Sequence, residues 1–222
     1  MHFTAREDAE KMGQTNSGSE SARLPPWAVS PEVWLMFRPK AAYEWLADAP
    51  EGRKNWTAAR RPVYFAFLLG CFVSLVASQR LTLRHVAGGA INGGLLLLAQ
   101  IAALRIVCWR ERKVSFSRLV DLFFAGYGPW TLWILAFSAV WAFLPPERAF
   151  AFGWSGSIAV TAGLVTIWSV YINYRFFEGV LRRSKAGAAW DALRIWAMCW
   201  FVCILIFGWG ALWSEYLRIP GR

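Results

Sequence analysis

A chain of 222 residues in which 57% are apolar and 17% charged, with 15 Trp and 16 Phe, is too greasy for an ordinary water-soluble domain. Its formal charge of +10 would suit phosphate, but the Lys and Arg lie between apolar blocks and not along one polar surface, so nucleic acid is excluded as a partner and the cations read as topology signals. The apolar residues come in blocks of about 17 to 24, the length a helix needs to cross hydrocarbon. Lipid offers the backbone no hydrogen-bond partner, so the fold class is all-α: a polytopic membrane helical bundle with five transmembrane helices and short interfacial helices, and the lipid bilayer is its first partner.

Residues 1–26 mix charge with Gln14, Thr15, Asn16, Ser17, Gly18 and Ser19 and close on Pro25-Pro26, the composition of a disordered tail. They lack a secretory signal pattern, so the first apolar block is expected to stay as an uncleaved anchor. Residues 27–61 form an interfacial cytoplasmic segment. Ser30-Pro31 starts one short helix carrying Val33 to Phe37, Pro39 restarts the chain with Tyr43, Trp45 and Leu46, and both pieces are expected at the membrane surface.

The five-helix transmembrane domain is expected over 62–213, followed by a short tail over 214–222. The first span runs from Pro62 to about Ser78 behind Arg60-Arg61, and the second, from about Val86 to Trp109, carries Asn92, Gln100 and Arg105. The third, from about Leu122 to Leu144, is led in by an amphipathic Val114–Phe124 stretch, and Pro129 is expected to bend it. The fourth covers about Ser157 to Phe177 and the fifth about Ile195 to Trp213. Eighteen Lys and Arg fall on the N-terminal side of alternate spans against five on the other, Arg105 aside, which places the N-terminus in the cytoplasm and the C-terminus opposite, in a membrane such as the bacterial inner membrane.

Chemistry is sparse. Of two His, His2 is in the tail and His85 in a short outer loop, and no metal or other cofactor is expected. Cys199 and Cys203 share a helix face and read either as packing residues or as a soft-metal pair. Gly89 and Gly93 form a Gly-x-x-x-Gly pair suited to close helix approach, or to a flexible gate. Arg105 and Asp121 either pair with each other, or Arg105 snorkels to the headgroups while Asp121 caps a helix. Asn92, Gln100 and Asn173 either bond between helices or line a polar path.

The layout resembles the Yip family of membrane proteins, named for interaction with Ypt/Rab-type small GTPases. Phe37-Arg38-Pro39-Lys40-Ala41-Ala42-Tyr43 is similar to that family's Pro-containing entry segment, and Asp121 to Pro129 to its Gly-Tyr followed by Pro in the third span, with a shorter gap between Tyr127 and Pro129. The resemblance covers Val33 to Phe207. It implies five spans, a cytoplasmic N-terminus and a non-enzymatic scaffold or interaction protein of membrane organisation, with a protein partner or a second copy. Arg105, Asp121, Gly126, Tyr127 and Pro129 are its candidate residues, shaping the cytoplasmic face. The other reading is a small transporter or channel subunit with its path along Asn92, Gln100 and Asn173. An enzyme is not expected, for want of a nucleophile with a base or a carboxylate pair in the membrane.

Overall fold

The computed structural model describes residues 30–48, 56–111, 113–143 and 152–217. The expected tail at 1–26 and the last residues of the chain lie outside these. Eight helices and no strands occur among the described residues: α1 (Pro31–Phe37), α2 (Pro39–Asp48), α3 (Trp56–Ser78), α4 (Leu83–Val107), α5 (Phe116–Ala125), α6 (Gly128–Phe143), α7 (Phe152–Gly179) and α8 (Lys185–Leu217). The chain is therefore the expected all-α membrane bundle. Four helices are long and apolar enough to cross a bilayer, and there are five spans when the bent α5–α6 pair counts as one.

The helices run past the limits that hydropathy sets, because the helical hydrogen-bond ladder does not stop where the hydrocarbon stops. The N-terminal end of α3 reaches back to Trp56, so Arg60 and Arg61 ride on the helix itself. Between α7 and α8 the turn is confined to residues 180–184, and Arg175 and Arg194 extend the two helices. Arg182 in that turn has φ 51°, and Gln79 in the α3–α4 turn has φ 53°, left-handed backbone that lets each hairpin reverse tightly.

The α3–α4 hairpin is the tightest seam. A Cβ at Gly89 would lie 2.8 Å from the Cβ of Val73 and 3.0 Å from the Cα of Gly70, and one at Gly93 would lie 2.8 Å from Leu69 Cδ1. The missing side chains let the two backbones meet, as small residues do between membrane helices. The turn is closed by Ser74, whose hydroxyl donates to the Arg80 carbonyl at 2.7 Å and accepts from the Thr82 N–H at 3.0 Å.

The expected Pro129 bend falls elsewhere. α5 and α6 meet at 47°, and the break is at Gly126-Tyr127. Pro129 is the second residue of α6, in the first turn, where its missing N–H has no intrahelical acceptor to forgo. α5 is capped by Ser115, which accepts from the Arg118 N–H, and it buries Leu119, Val120, Leu122, Phe123, Phe124 and Ala125 under the bundle end.

The short helices also differ from a pair lying on lipid. Ser30 caps α1 by accepting from the Val33 N–H at 3.3 Å. Leu35, Ala42 and Tyr43 are fully buried, with Tyr43 edge-on to Phe176 of α7 at 5.6 Å. α1 and α2 thus cover the protein, because Gly126 and Gly179 leave room for Tyr43 where any side chain would crowd it. They close the end of the bundle that also holds α5 and the α7–α8 turn, here called the basic end.

Candidate functional site

The basic end joins three elements through one guanidinium. Arg61 of α3 donates from Nε and Nη2 to Glu32 Oε1 of α1, at 3.1 and 2.6 Å. Its Nη1 donates to the Asp121 carbonyl oxygen of α5 at 3.1 Å and also to Asp121 Oδ1. The Arg61 and Asp121 side chains are each 14% exposed, and that of Glu32 is 38% exposed. Burial pushes the Glu32 carboxyl up, but the hydrogen bond and charge of Arg61 outweigh it and hold the group below its ordinary value of 4.5. One cation between two carboxylates at a membrane boundary is a polar cluster that lipid alone would not tolerate.

Glu32 and Arg61 of this cluster line a cleft of about 670 Å³. Glu32, Arg60, Arg61, Tyr64, Tyr127 and Thr131 supply its polar wall, and Val33, Met36 and Leu135 are among its apolar lining. Arg60 is exposed at its rim. Below lies an apolar cavity of about 280 Å³, to which every span contributes wall. Phe65 and Tyr127 line both spaces, stacked edge-to-face at 5.0 Å. Tyr127 donates its hydroxyl hydrogen bond to Gln100 Oε1 of α4.

Of the residues singled out from sequence, Asp121 stands in the cluster and Tyr127 at the junction of cleft and cavity. Gly126 is the close-approach point for Tyr43, and Pro129 is buried at the start of α6. Arg105 is exposed at the end of α4, its guanidinium 5.0 Å from the Phe116 ring and 5.8 Å from that of Trp109, while Asp121 pairs with Arg61. Asn92 is exposed, Gln100 lines the cavity and Asn173 is buried, so the three amides do not share one wall.

Sequence reasoning missed Glu32 and Arg61 as site residues. Arg61 was read only as a charge anchor, and the usable signal for Glu32 was an acid within an otherwise apolar helix too short to span. The cluster holds two carboxylates, Asp121 on α5 and Glu32 on the short α1, which is not one of the spans. Cys108, at the end of α4, is a poor nucleophile: burial, with Asp191 adding to it, pushes its thiol up to about 12. No group of three His, Cys, Asp or Glu converges as a metal site among the described residues.

No family model matches the chain. Two curated proteins are similar to part of it. One is glycerol-3-phosphate acyltransferase of Cronobacter sakazakii (strain ATCC BAA-894), 32% identical over 85 residues, covering 36% of this chain and 42% of that protein. The glycerol-3-phosphate acyltransferase of Citrobacter koseri (strain ATCC BAA-895 / CDC 4225-83 / SGSC4696) matches to the same extent. The match thus spans less than half the length of either relative. No solved structure matches. The relatives bear the name of an enzyme, and this overturns the expectation of a non-enzymatic scaffold or a transporter or channel subunit.

Proposed function

We propose that the protein is a membrane-embedded enzyme of the acyl-transfer class, working in the cleft at the basic end on an anionic acceptor that carries a hydroxyl. The observation that carries this reading is the 32% identity over 85 residues to two glycerol-3-phosphate acyltransferases. The site supports it by placing charged groups and an apolar cavity side by side, as a reaction between a water-soluble acceptor and an acyl donor requires. The charge bias of the loops supports a cytoplasmic basic end, with the N-terminus inside, the C-terminus opposite and the bacterial inner membrane as the location. The Yip-like layout is likewise our proposal, for architecture alone.

In such a transfer the acceptor oxygen forms a bond to the acyl carbonyl carbon, and the bond from that carbon to the donor's leaving group breaks. The leaving group departs with the electron pair, and the hydroxyl proton passes to a carboxylate, here Glu32, which lines the cleft and is oriented by Arg61. Arg60 attracts the acceptor's negative charge. The test is transfer of labelled acyl groups to glycerol 3-phosphate by the full chain in nanodiscs, with thioester and acyl-phosphate donors offered in turn. We expect product from the wild type and a loss of roughly 10² to 10⁴-fold in Glu32→Gln, the range for removing a general base. No product above empty nanodiscs with either donor would overturn the reading.

A further inference from the structure

The side of α4 that looks into lipid carries a polar group that lipid cannot satisfy. Arg84 and Arg105 stand 21 residues apart on this helix, roughly 32 Å at the helical rise, so both reach headgroups while the residues between them cross the hydrocarbon. Asn92 lies eight residues inside Arg84, about 12 Å deep. It is exposed and, among the described residues, has no hydrogen-bond partner. Elsewhere on the spans Ser78, Thr161 and Thr166 donate back to carbonyls of their own helices, each at 2.8 Å, and Gln100 accepts from Tyr127. The Asn92 amide, with two N–H donors and a carbonyl acceptor, meets no such group on its own chain, and hydrocarbon offers none.

The residues around Asn92 are spaced to admit a further helix. Gly88, Asn92, Leu95, Ala99, Ala102 and Ile106 follow at intervals of four and three, the seam spacing of a left-handed helix pair, and none of them is buried. A Cβ on Gly88 would meet nothing within 4 Å. The run Gly88-Gly89-Ala90-Ile91-Asn92-Gly93-Gly94 thus has two working faces: Gly89 and Gly93 close on α3, while Gly88 and Asn92, one residue earlier around the helix, stay open. The charge bias of the loops sends every copy into the membrane the same way, so two α4 helices brought together run parallel and each residue meets its counterpart at the same depth. In that setting an amide is complementary to itself, each N–H₂ donating to the carbonyl oxygen of the other copy, and an Asn at one seam position also fixes the register.

We propose that the lipid-facing side of α4 is the contact surface of a parallel, two-fold symmetric homodimer, held by reciprocal Asn92–Asn92 hydrogen bonds and by close backbone approach at Gly88. This goes beyond the acyl-transfer reading and is independent of it, because none of the six seam residues lines the cleft or the cavity.

The test follows the full chain in phosphatidylcholine liposomes, with donor and acceptor dyes on the N-termini of two batches and energy transfer read as added lipid dilutes the protein. Transfer above that of randomly dispersed labels is expected. Asn92→Leu should move its midpoint to a protein-to-lipid ratio roughly tenfold higher, and Asn92→Gln, which keeps the amide, should recover most of the loss. Gly88→Ile points into open space in the single copy and should abolish the excess transfer, whereas Leu164→Ala on the lipid face of α7 should leave it unchanged. Under copper-phenanthroline oxidation Leu95→Cys should yield a disulfide-linked dimer above the background of the four native cysteines, and Leu98→Cys should not. Circular dichroism checks each variant, and Asn92→Leu, which exchanges an amide for hydrocarbon in lipid, keeps the result from resting on the folding of Gly88→Ile. Transfer no greater than random at every ratio would overturn the dimer. Association unchanged by both Asn92→Leu and Gly88→Ile, or crosslinking at position 98 and not at 95, would overturn this face. Either failure leaves the acyl-transfer reading standing, and a chain that dimerises through α4 without transferring acyl groups leaves the dimer standing.

Discussion

The two halves of the bundle are built on different terms. At the basic end Tyr43, Phe123, Phe176 and Phe177 are each no more than 1% exposed, packed edge to face at centroid distances of 5.1 to 5.7 Å. Away from that end Ile91, Leu164 and Phe143 are 67%, 62% and 89% exposed, and lipid is their solvent. A hydrocarbon tail solvates an apolar side chain about as well as a neighbouring helix does, so burial between helices gains little there. At the basic end charges must be paired and backbone ends covered, and protein does what lipid cannot. Dense packing therefore marks where polar chemistry has to be kept at the membrane edge.

The contrast can be broken most sharply by truncating one side chain on each side of it. Phe123→Ala should cost about 3 to 5 kcal/mol, the usual range for a buried aromatic, whereas Leu164→Ala should stay within about 0.5 kcal/mol, as surface changes do. Reversible unfolding in mixed micelles of rising SDS content measures both, and equal losses would contradict the division.

Next in size is the ion cluster. Arg61→Met leaves Glu32 and Asp121 without their shared cation, and losing one partner of a buried ion pair costs about 3 to 5 kcal/mol; partial exposure of Glu32 puts the expectation at the low end. The same unfolding assay applies, and protease cleavage before α3 should rise as α1 comes free. An unchanged digest would mean that α1 is held by its apolar face alone.

Smaller effects come from the glycines. Gly89→Ala drives a methyl against Val73 and the Gly70 backbone and should cost about 1 to 3 kcal/mol by overpacking. Gly94→Ala, where nothing lies within 4 Å, should be neutral or stabilise by up to about 1 kcal/mol through helix propensity. If the two behaved alike, the α3–α4 seam would not be the close contact described.

The least effect is that of pH. The Glu32 carboxyl is held below 4.5, so the folded state favours its ionised form, and the stabilisation it gives is present above 4.5 and fades as pH falls through the lower folded value. Fluorescence of a single dye attached to α1, reporting its docking, should be flat from pH 7 to 5 and change only under stronger acid. A transition near pH 6 would point to a different group.

The spans were legible because each is a long apolar block, a signal that survives without knowing any contact. The Gly89 and Gly93 pair was legible as a packing motif, though its partners Gly70 and Val73 were not, since only the folded hairpin shows which face of α3 it meets. The cluster was not legible because Arg61 lies 29 residues from Glu32 and 60 from Asp121, and arginines before a span carry the same charge whether they anchor topology or tie helices together. The Pro129 bend was misplaced for a related reason: proline shows where a ladder can break, and the adjoining Gly126, pressed by Tyr43, decided where it did.

The seating of Tyr43 against Gly126 and Phe176 sets an order of assembly. A ribosome makes α2 before α3 and the spans that follow it, yet its socket is finished only when the chain has grown past residue 176, more than a hundred residues later. Until then the lid made first has nowhere to dock, and its apolar face must wait at the bilayer edge or with a chaperone. Helices α1 and α2 are thus among the last to reach their place, although the partners of the charged cluster are all made by residue 121.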